Sequence, residues 1–216
     1  MHIRLMSKID IPQVSVIDRE AFPTMWPPVN FNHELTNRLA HYIVATDGQN
    51  ATPEPEPKPT IKLVPVRSFW GLKLPFSSKS KASSQTQEKA DHVVGFVGTW
   101  IMVDEAHIIN IAVREGHRGK GVGELLLISS IDLASQLKAS VVTLEVRASN
   151  TVAQNLYLKY GFSKMGVRRG YYTDNREDAF IMTTDVITSD SFKRQFRKLR
   201  EACFQKITDM DYKIPV

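Results

Sequence analysis

Along the chain the spacing of apolar positions changes several times, and each change marks an element. His2–Ser7 alternates as a short strand, and Asp10 with Pro12 opens a helix on which Val14, Ile17 and Ala21 recur to Phe22. The prolines of Pro23-Thr24-Met25-Trp26-Pro27-Pro28 deny helical hydrogen bonds and predict a loop. A second short helix over Asn32–Leu39 leads into a strand at His41–Thr46. Further on, His92–Val103 reads as a long strand, Asp104-Glu105 as a turn and His107–Val113 as the next strand. Gly121–Leu137 carries Val122, Leu125, Leu126, Ser129 and Leu133 on one helical face. Val141–Val146 is almost continuously apolar or β-branched, as in a strand buried on both faces. Asn150–Tyr160 is a helix closed by Gly161, and Phe162–Val167 with Asp178–Asp185 forms a last strand pair. Ser191–Ile207 ends the pattern as a helix with Phe192, Phe196, Leu199 and Cys203 on one stripe and Lys and Arg elsewhere.

One stretch breaks this order. Gln49–Asp91 contains Pro-Glu-Pro-Glu-Pro-Lys-Pro and then the Ser/Lys/Gln-rich tract Ser77–Lys89, too few apolar residues to offset the entropy of ordering. It is expected to be largely mobile, an insertion between two strands, although Phe69-Trp70-Gly71-Leu72 is apolar enough to dock. The organisation that follows is one α/β domain over 1–185 interrupted at 49–91, with a basic amphipathic helical extension over 186–216. The 216 residues suffice for one such core.

The formal charge of +5 and pI of about 9.3 would suit a nucleic-acid binder or a protein that handles a polyanionic ligand. The excess is concentrated in Lys58–Lys89 and Lys193–Lys206, so no direct nucleic-acid function is expected. No apolar run approaches the roughly 18 residues of a membrane span, and Met1–Met6 lacks the features of a secretory signal. The lone Cys203 rules out an internal disulfide and a thiol metal cluster; a cytoplasmic protein without a metal is expected. The oligomeric state is left open.

Candidate chemistry centres on Arg118-Gly119-Lys120-Gly121-Val122-Gly123, after a strand and at the opening of a helix. Glycines let backbone N–H groups turn toward an anion, and the helix start adds free N–H groups and its positive dipole end, a site suited to a diphosphate. The spacing is not the dinucleotide fingerprint, and Lys120 precedes glycine rather than the Ser or Thr of a P-loop. Arg-x-x-Gly-x-Gly instead resembles the pyrophosphate motif of the GNAT (Gcn5-related) N-acetyltransferase superfamily. Leu144-Glu145-Val146-Arg147-Ala148-Ser149-Asn150, then Ala153 and Leu156-Tyr157-x-x-Tyr160-Gly161-Phe162, is similar to the ribosomal-protein-alanine N-acetyltransferases of the RimI type within it. So are Arg168-Arg169-Gly170-Tyr171-Tyr172, Arg176-Glu177-Asp178-Ala179-x-x-Met182, and Asn110-Ile111-Ala112-Val113. The resemblance covers roughly Val93–Asp185 and, more weakly, Met1–Thr46.

The resemblance implies an α/β GNAT fold: a mixed, mostly antiparallel twisted sheet of about seven strands flanked by helices and splayed at an acetyl-CoA site. It also implies direct attack of an amine on the thioester, with Glu145 as general base and Tyr157 as the acid that protonates the thiolate. It assigns the coenzyme to Ile111, Ala112 and Val113, to Arg118, Gly119, Lys120, Gly121, Val122 and Gly123, and to Asn150, which is equally an N-cap. The acceptor walls would be the loop holding Phe22 and Trp26 and the turn at Tyr171 and Tyr172. The expected acceptor is a protein N-terminus, by resemblance the alanine of a ribosomal protein; a lysine or small amine is the alternative, and a non-catalytic acyl-CoA-binding module another. Read without the resemblance, Glu145 could be a structural carboxylate paired with Arg147 or Arg169, and Tyr157 an aromatic core residue. His107 and His117 are expected to be solvated histidines near turns.

Overall fold

The computed structural model describes residues 1–24, 27–50, 91–207 and 211–212. Its sheet is built from β1 (His2–Leu5), β2 (Ala40–Asn50), β3 (Asp91–Met102), β4 (Glu105–Val113), β5 (Val141–Arg147), β6 (Phe162–Tyr172), β7 (Glu177–Thr184) and β8 (Asp211–Tyr212). The helices are α1 (Ile11–Ala21), α2 (Phe31–Glu34), α3 (Val122–Gln136), α4 (Thr151–Lys159) and α5 (Asp190–Phe204). The strand order is β6-β7-β5-β4-β3-β2-β1-β8, antiparallel except at β4–β5 and β1–β8. This is the mixed sheet that the resemblance implied, with β8 added at its edge by the tail.

Element boundaries moved where pairing or capping decided them. β2 continues through Gln49 and Asn50, and Asn50 is the register partner of Asp91, so the interrupting segment is shorter than its composition suggested. The remainder of that insertion, 51–90, lies outside the described residues. β6 continues five residues beyond Val167 because β7 stays paired with it to Tyr172↔Glu177. The second helix shrinks to the single turn Phe31–Glu34, held by the Asn30 side chain accepting from the His33 N–H at 3.2 Å. The first helix begins after a 3-10 turn at Lys8–Asp10. There the fully buried Asp10 accepts from Ser7 N–H at 2.8 Å and from Arg4 at 2.7 and 2.9 Å. Burial alone would raise the Asp10 carboxyl, but Arg4 and Ser7 outweigh it and hold it below the usual carboxylate range.

Two cores lie on opposite faces of the sheet. One gathers Val122, Leu125, Leu126, Ile128, Leu144, Tyr157 and Met182 under α3 and α4, and the other Val14, Ile17, Phe31, Tyr42 and Phe96 under α1 and α2. The apolar stripe of α5 docks on the first core, with Phe192 and Cys203 buried in it. α3 is apolar nearly all round because it is sandwiched between the sheet and α5.

Candidate active site

A β-bulge and a splay open the middle of the sheet. Opposite β4, Gly98 pairs with Asn110 and Thr99 with Ile108, leaving Ile109 as an extra residue. Regular alternation would put Ile108 and Ile111 on opposite faces; after the bulge both pack in the core beneath α3. On its other side β4 pairs with β5 only from Glu105↔Val141 to Ile108↔Leu144. Beyond that the two strands part, so β4 through Ile111, Ala112 and Val113 has no ladder partner in β5, and on that edge, among the described residues, the Val113 carbonyl accepts only from Arg118 Nε. A β-strand edge inside a cleft accepts an extended, amide-bearing ligand such as a pantetheine arm.

The glycine loop stands at one mouth of this splay. Gly119 and Gly121 have φ of +75° and +84°, conformations open to glycine and strained for other residues. Among the described residues a Cβ at Gly119 would meet nothing within 4 Å, and at Gly121 only Ile207 Cδ1 at 3.8 Å, so these leave the backbone open to an approaching anion. Gly121 is the N-cap of α3 and no side chain caps that end, leaving its first N–H groups for a ligand. Arg118 and Lys120 are exposed beside it, and Arg118 Nε is tied to the Val113 carbonyl at 3.2 Å. Val122 can offer a ligand only its backbone, because its side chain is 1% exposed within the core. Gly123 lies against Val113, 3.8 Å from where its Cβ would be. These features fit the diphosphate and pantetheine of a coenzyme A thioester. Among the described residues no group of three or more His, Cys, Asp or Glu side chains is arranged to hold a metal ion.

The other end of the splay gathers the titratable groups. Glu145 is neither on Arg147 nor on Arg169: its Oε2 lies 2.7 Å from His107 Nε2 and its Oε1 2.9 Å from Arg168. His107 is therefore not solvated, because alternation turns it away from Ala106 and Ile108 toward the same face as Glu145 of the parallel neighbour. The His107 hydrogen bond, aided by the charges of His107 and Arg168 and opposed by burial, holds the Glu145 carboxyl below its ordinary range. Arg147 instead clamps the hairpin tip, bonding Asp174 at 2.8 Å and Glu177 at 3.2 Å, and its guanidinium stacks 3.8 Å from the Tyr172 ring centre. Arg169 pairs with Asp178. Burial pushes the Tyr172 phenol up to about 12, with Arg147 pulling the other way.

Tyr157 on α4 is 5% exposed, its ring 5.6 Å from that of Phe162. Its phenol is raised well above its ordinary value by burial and then by Tyr172, so it stays protonated at neutral pH. It is thus a core aromatic, packed in the cluster beneath α3 and α4. Asn150 is an N-cap, its side-chain oxygen accepting from the Ala153 N–H at 3.1 Å. Tyr171 is exposed and meets Tyr172 edge to face at 5.2 Å. Phe22 is half-buried against the second core, and Trp26 lies outside the described residues.

His107 and Arg168 were missed by sequence reasoning. Period-2 alternation would have given the face of each, but not that β4 lies parallel beside β5 and that a carboxylate sits between them. His117 was also misjudged: it lies 3.6 Å from Asp47, and its Nδ1 is buried without a hydrogen-bond partner.

The family model described as Acetyltransferase (GNAT) family matches residues 62–162. A Bacillus subtilis (strain 168) protein, provisionally assigned as a ribosomal protein bS18-alanine N-acetyltransferase, is 34% identical over 185 residues, 85% of this chain and 95% of its own length. The chain belongs to the GNAT acetyltransferase family. The ribosomal protein bS18-alanine N-acetyltransferase of Escherichia coli (strain K12) is 37% identical over 121 residues, covering 52% of this chain and 82% of that one. The crystal structure of the ribosomal-protein-S18-alanine N-acetyltransferase from Escherichia coli superposes with a TM-score of 0.57 at 25% identity, over 85% of this chain and 92% of that one. A GNAT family acetyltransferase from Elizabethkingia anophelis, solved with acetyl-CoA bound, shares the fold at a TM-score of 0.55 and 17% identity, over 85% of this chain and 97% of that one. This GNAT protein is an N-acetyltransferase of the RimI type. No helix among its described residues is long and apolar enough to cross a membrane.

Proposed function

We propose that the protein moves acetyl from acetyl-CoA to the α-amine at a protein N-terminus, with a ribosomal protein as acceptor, by direct attack. The observation that carries this reading is the splay itself: a strand edge with an open glycine loop at one end and the Glu145 carboxylate, just past the last β4–β5 pair, at the other. The relatives named for the alanine of ribosomal protein bS18 supply the acceptor class.

The glycine loop and the β4 edge hold the coenzyme, and Tyr157 donates its proton to the departing thiolate sulfur as the C–S bond breaks. Glu145, directly or through a water, takes the proton that the attacking nitrogen loses. His107 and Arg168 fix the carboxylate's two oxygens and so aim it. Because they also keep it ionised and weakly basic, the acceptor must give up its proton readily. An α-amine near pKa 8 is about one-tenth neutral at pH 7, whereas lysine near 10.4 is neutral only about once in 2,500. The depressed carboxyl therefore favours an α-amine over a lysine. Positioning of the two reactants supplies several kcal/mol of the barrier reduction.

The deciding experiment offers the purified protein labelled acetyl-CoA and peptides that differ only in a free or blocked N-terminus, with the label located by mass spectrometry. Label on the α-nitrogen of the free peptide alone is expected. Equal labelling of the blocked peptide on a lysine would replace this reading, and coenzyme binding without transfer to either would leave a binding module.

A further inference from the structure

The end of α5 arrives at the coenzyme loop. α5 runs antiparallel along α3: Arg200 bonds Asp132 at 3.0 Å, Cys203 lies near Glu124, and Ile207 packs 3.8 Å from the Cβ position of Gly121. Tyr212 then returns to Asp132 with a 2.6 Å hydrogen bond, which pins the tail on both sides of that turn. The segment that composition marks as an appendage therefore borders the anion site.

We propose that Lys206 recognises the ribose 3′-phosphate of coenzyme A, making the C-terminal segment part of the nucleotide site. This rests on the coenzyme reading above. Coenzyme A carries a diphosphate and, on its ribose, a further phosphate dianion. The open glycine loop and the uncapped start of α3 suit the diphosphate, which leaves the third phosphate to side chains nearby. Glu124, in the first turn of α3, would repel it, but this carboxylate is already neutralised by the Lys159 ammonium and accepts from the Tyr160 hydroxyl at 2.6 Å. Lys206 is exposed, forms no salt bridge with a described residue, and is close enough for its charge to act on Glu124. Its neighbour Ile207 holds that turn of chain against Gly121, so the ammonium starts from an anchored backbone. A lysine on a flexible stem suits a phosphate dianion at the solvent edge.

The test is a cycle of two proteins and two ligands, read by calorimetry at low salt: wild type and Lys206→Gln against coenzyme A and dephospho-coenzyme A. Wild type is expected to bind coenzyme A about three- to tenfold more tightly than its dephospho form, as a partly exposed charge-assisted contact gives. Lys206→Gln should bind the two equally, with dephospho-coenzyme A affinity within about twofold of wild type. Lys193→Gln, on the same helix about 20 Å from the loop, should keep the wild-type discrimination. Equal binding of both ligands by wild type, or undiminished discrimination in Lys206→Gln, overturns the proposal and leaves the coenzyme reading intact. Failure of wild type to bind either ligand overturns both.

Discussion

At the scale of single residues, three side chains differ in how they hold their protons. Tyr157 is kept protonated by burial, so Tyr157→Phe should lower kcat by about a hundredfold, the low end of a general acid's contribution, with acetyl-CoA affinity within twofold. Stopped-flow turnover beside equilibrium binding checks this, and unchanged turnover removes Tyr157 from the chemistry. Glu145 is held low chiefly by His107. In His107→Ala the carboxyl should climb back toward its ordinary value, so loss of activity on acidification should begin at higher pH, together with a lower kcat; an identical acid limb of the pH profile would contradict this. Asp18 is the opposite case: burial raises it to about 6, and its Oδ1 has no hydrogen-bond partner. Its proton is held more tightly folded than unfolded, so its contribution to stability is complete below about pH 4 and is lost as pH rises through 6. Asp18→Asn should therefore stabilise the protein by about 2 kcal/mol at pH 8 and hardly at all at pH 4, as chemical denaturation at the two values will show.

At the scale of elements, the bulge in β4 and the glycine turn before α3 do more for the site than any helix. The bulge lets Ile108 and Ile111 share one core and directs a strand edge into the splay. The turn keeps Gly121 at φ +84°, a conformation that costs a residue with a Cβ roughly 1–2 kcal/mol. Gly121→Leu should therefore bind coenzyme A at least tenfold more weakly, because strain and bulk act together where the phosphates approach, while the thermal transition falls by only a few degrees. Full affinity in this variant would show that the anion lies elsewhere. The turn was legible from Gly119, Gly121 and Gly123 alone, since only glycine suits such a backbone. The bulge was not, because an extra residue in a strand shows only against its partner.

At the scale of the whole molecule, the chain wraps one sheet from β6 at one edge to β8 at the other. Because Asn50 and Asp91 are register partners, removal of 53–87 leaves a hairpin that a short loop can close. The deleted protein should keep a cooperative thermal transition within a few degrees of the parent; its collapse would show that the segment carries stability. The order of helices and strands and the glycine turn before α3 were determined by the sequence, since periodicity and glycine chemistry act between residues close along the chain, whereas Glu145 and Tyr157 were singled out only by the family resemblance. The partners of Glu145 were not: Arg147 and Arg169 are near it in sequence, yet His107 and Arg168 reach it through strands β4 and β6. Likewise the apolar stripe of α5 was visible in the sequence, but only the tertiary structure docked it on the first core and brought Ile207 to Gly121. Burial and cross-strand pairing decide which charges meet, and neither is a property of local sequence.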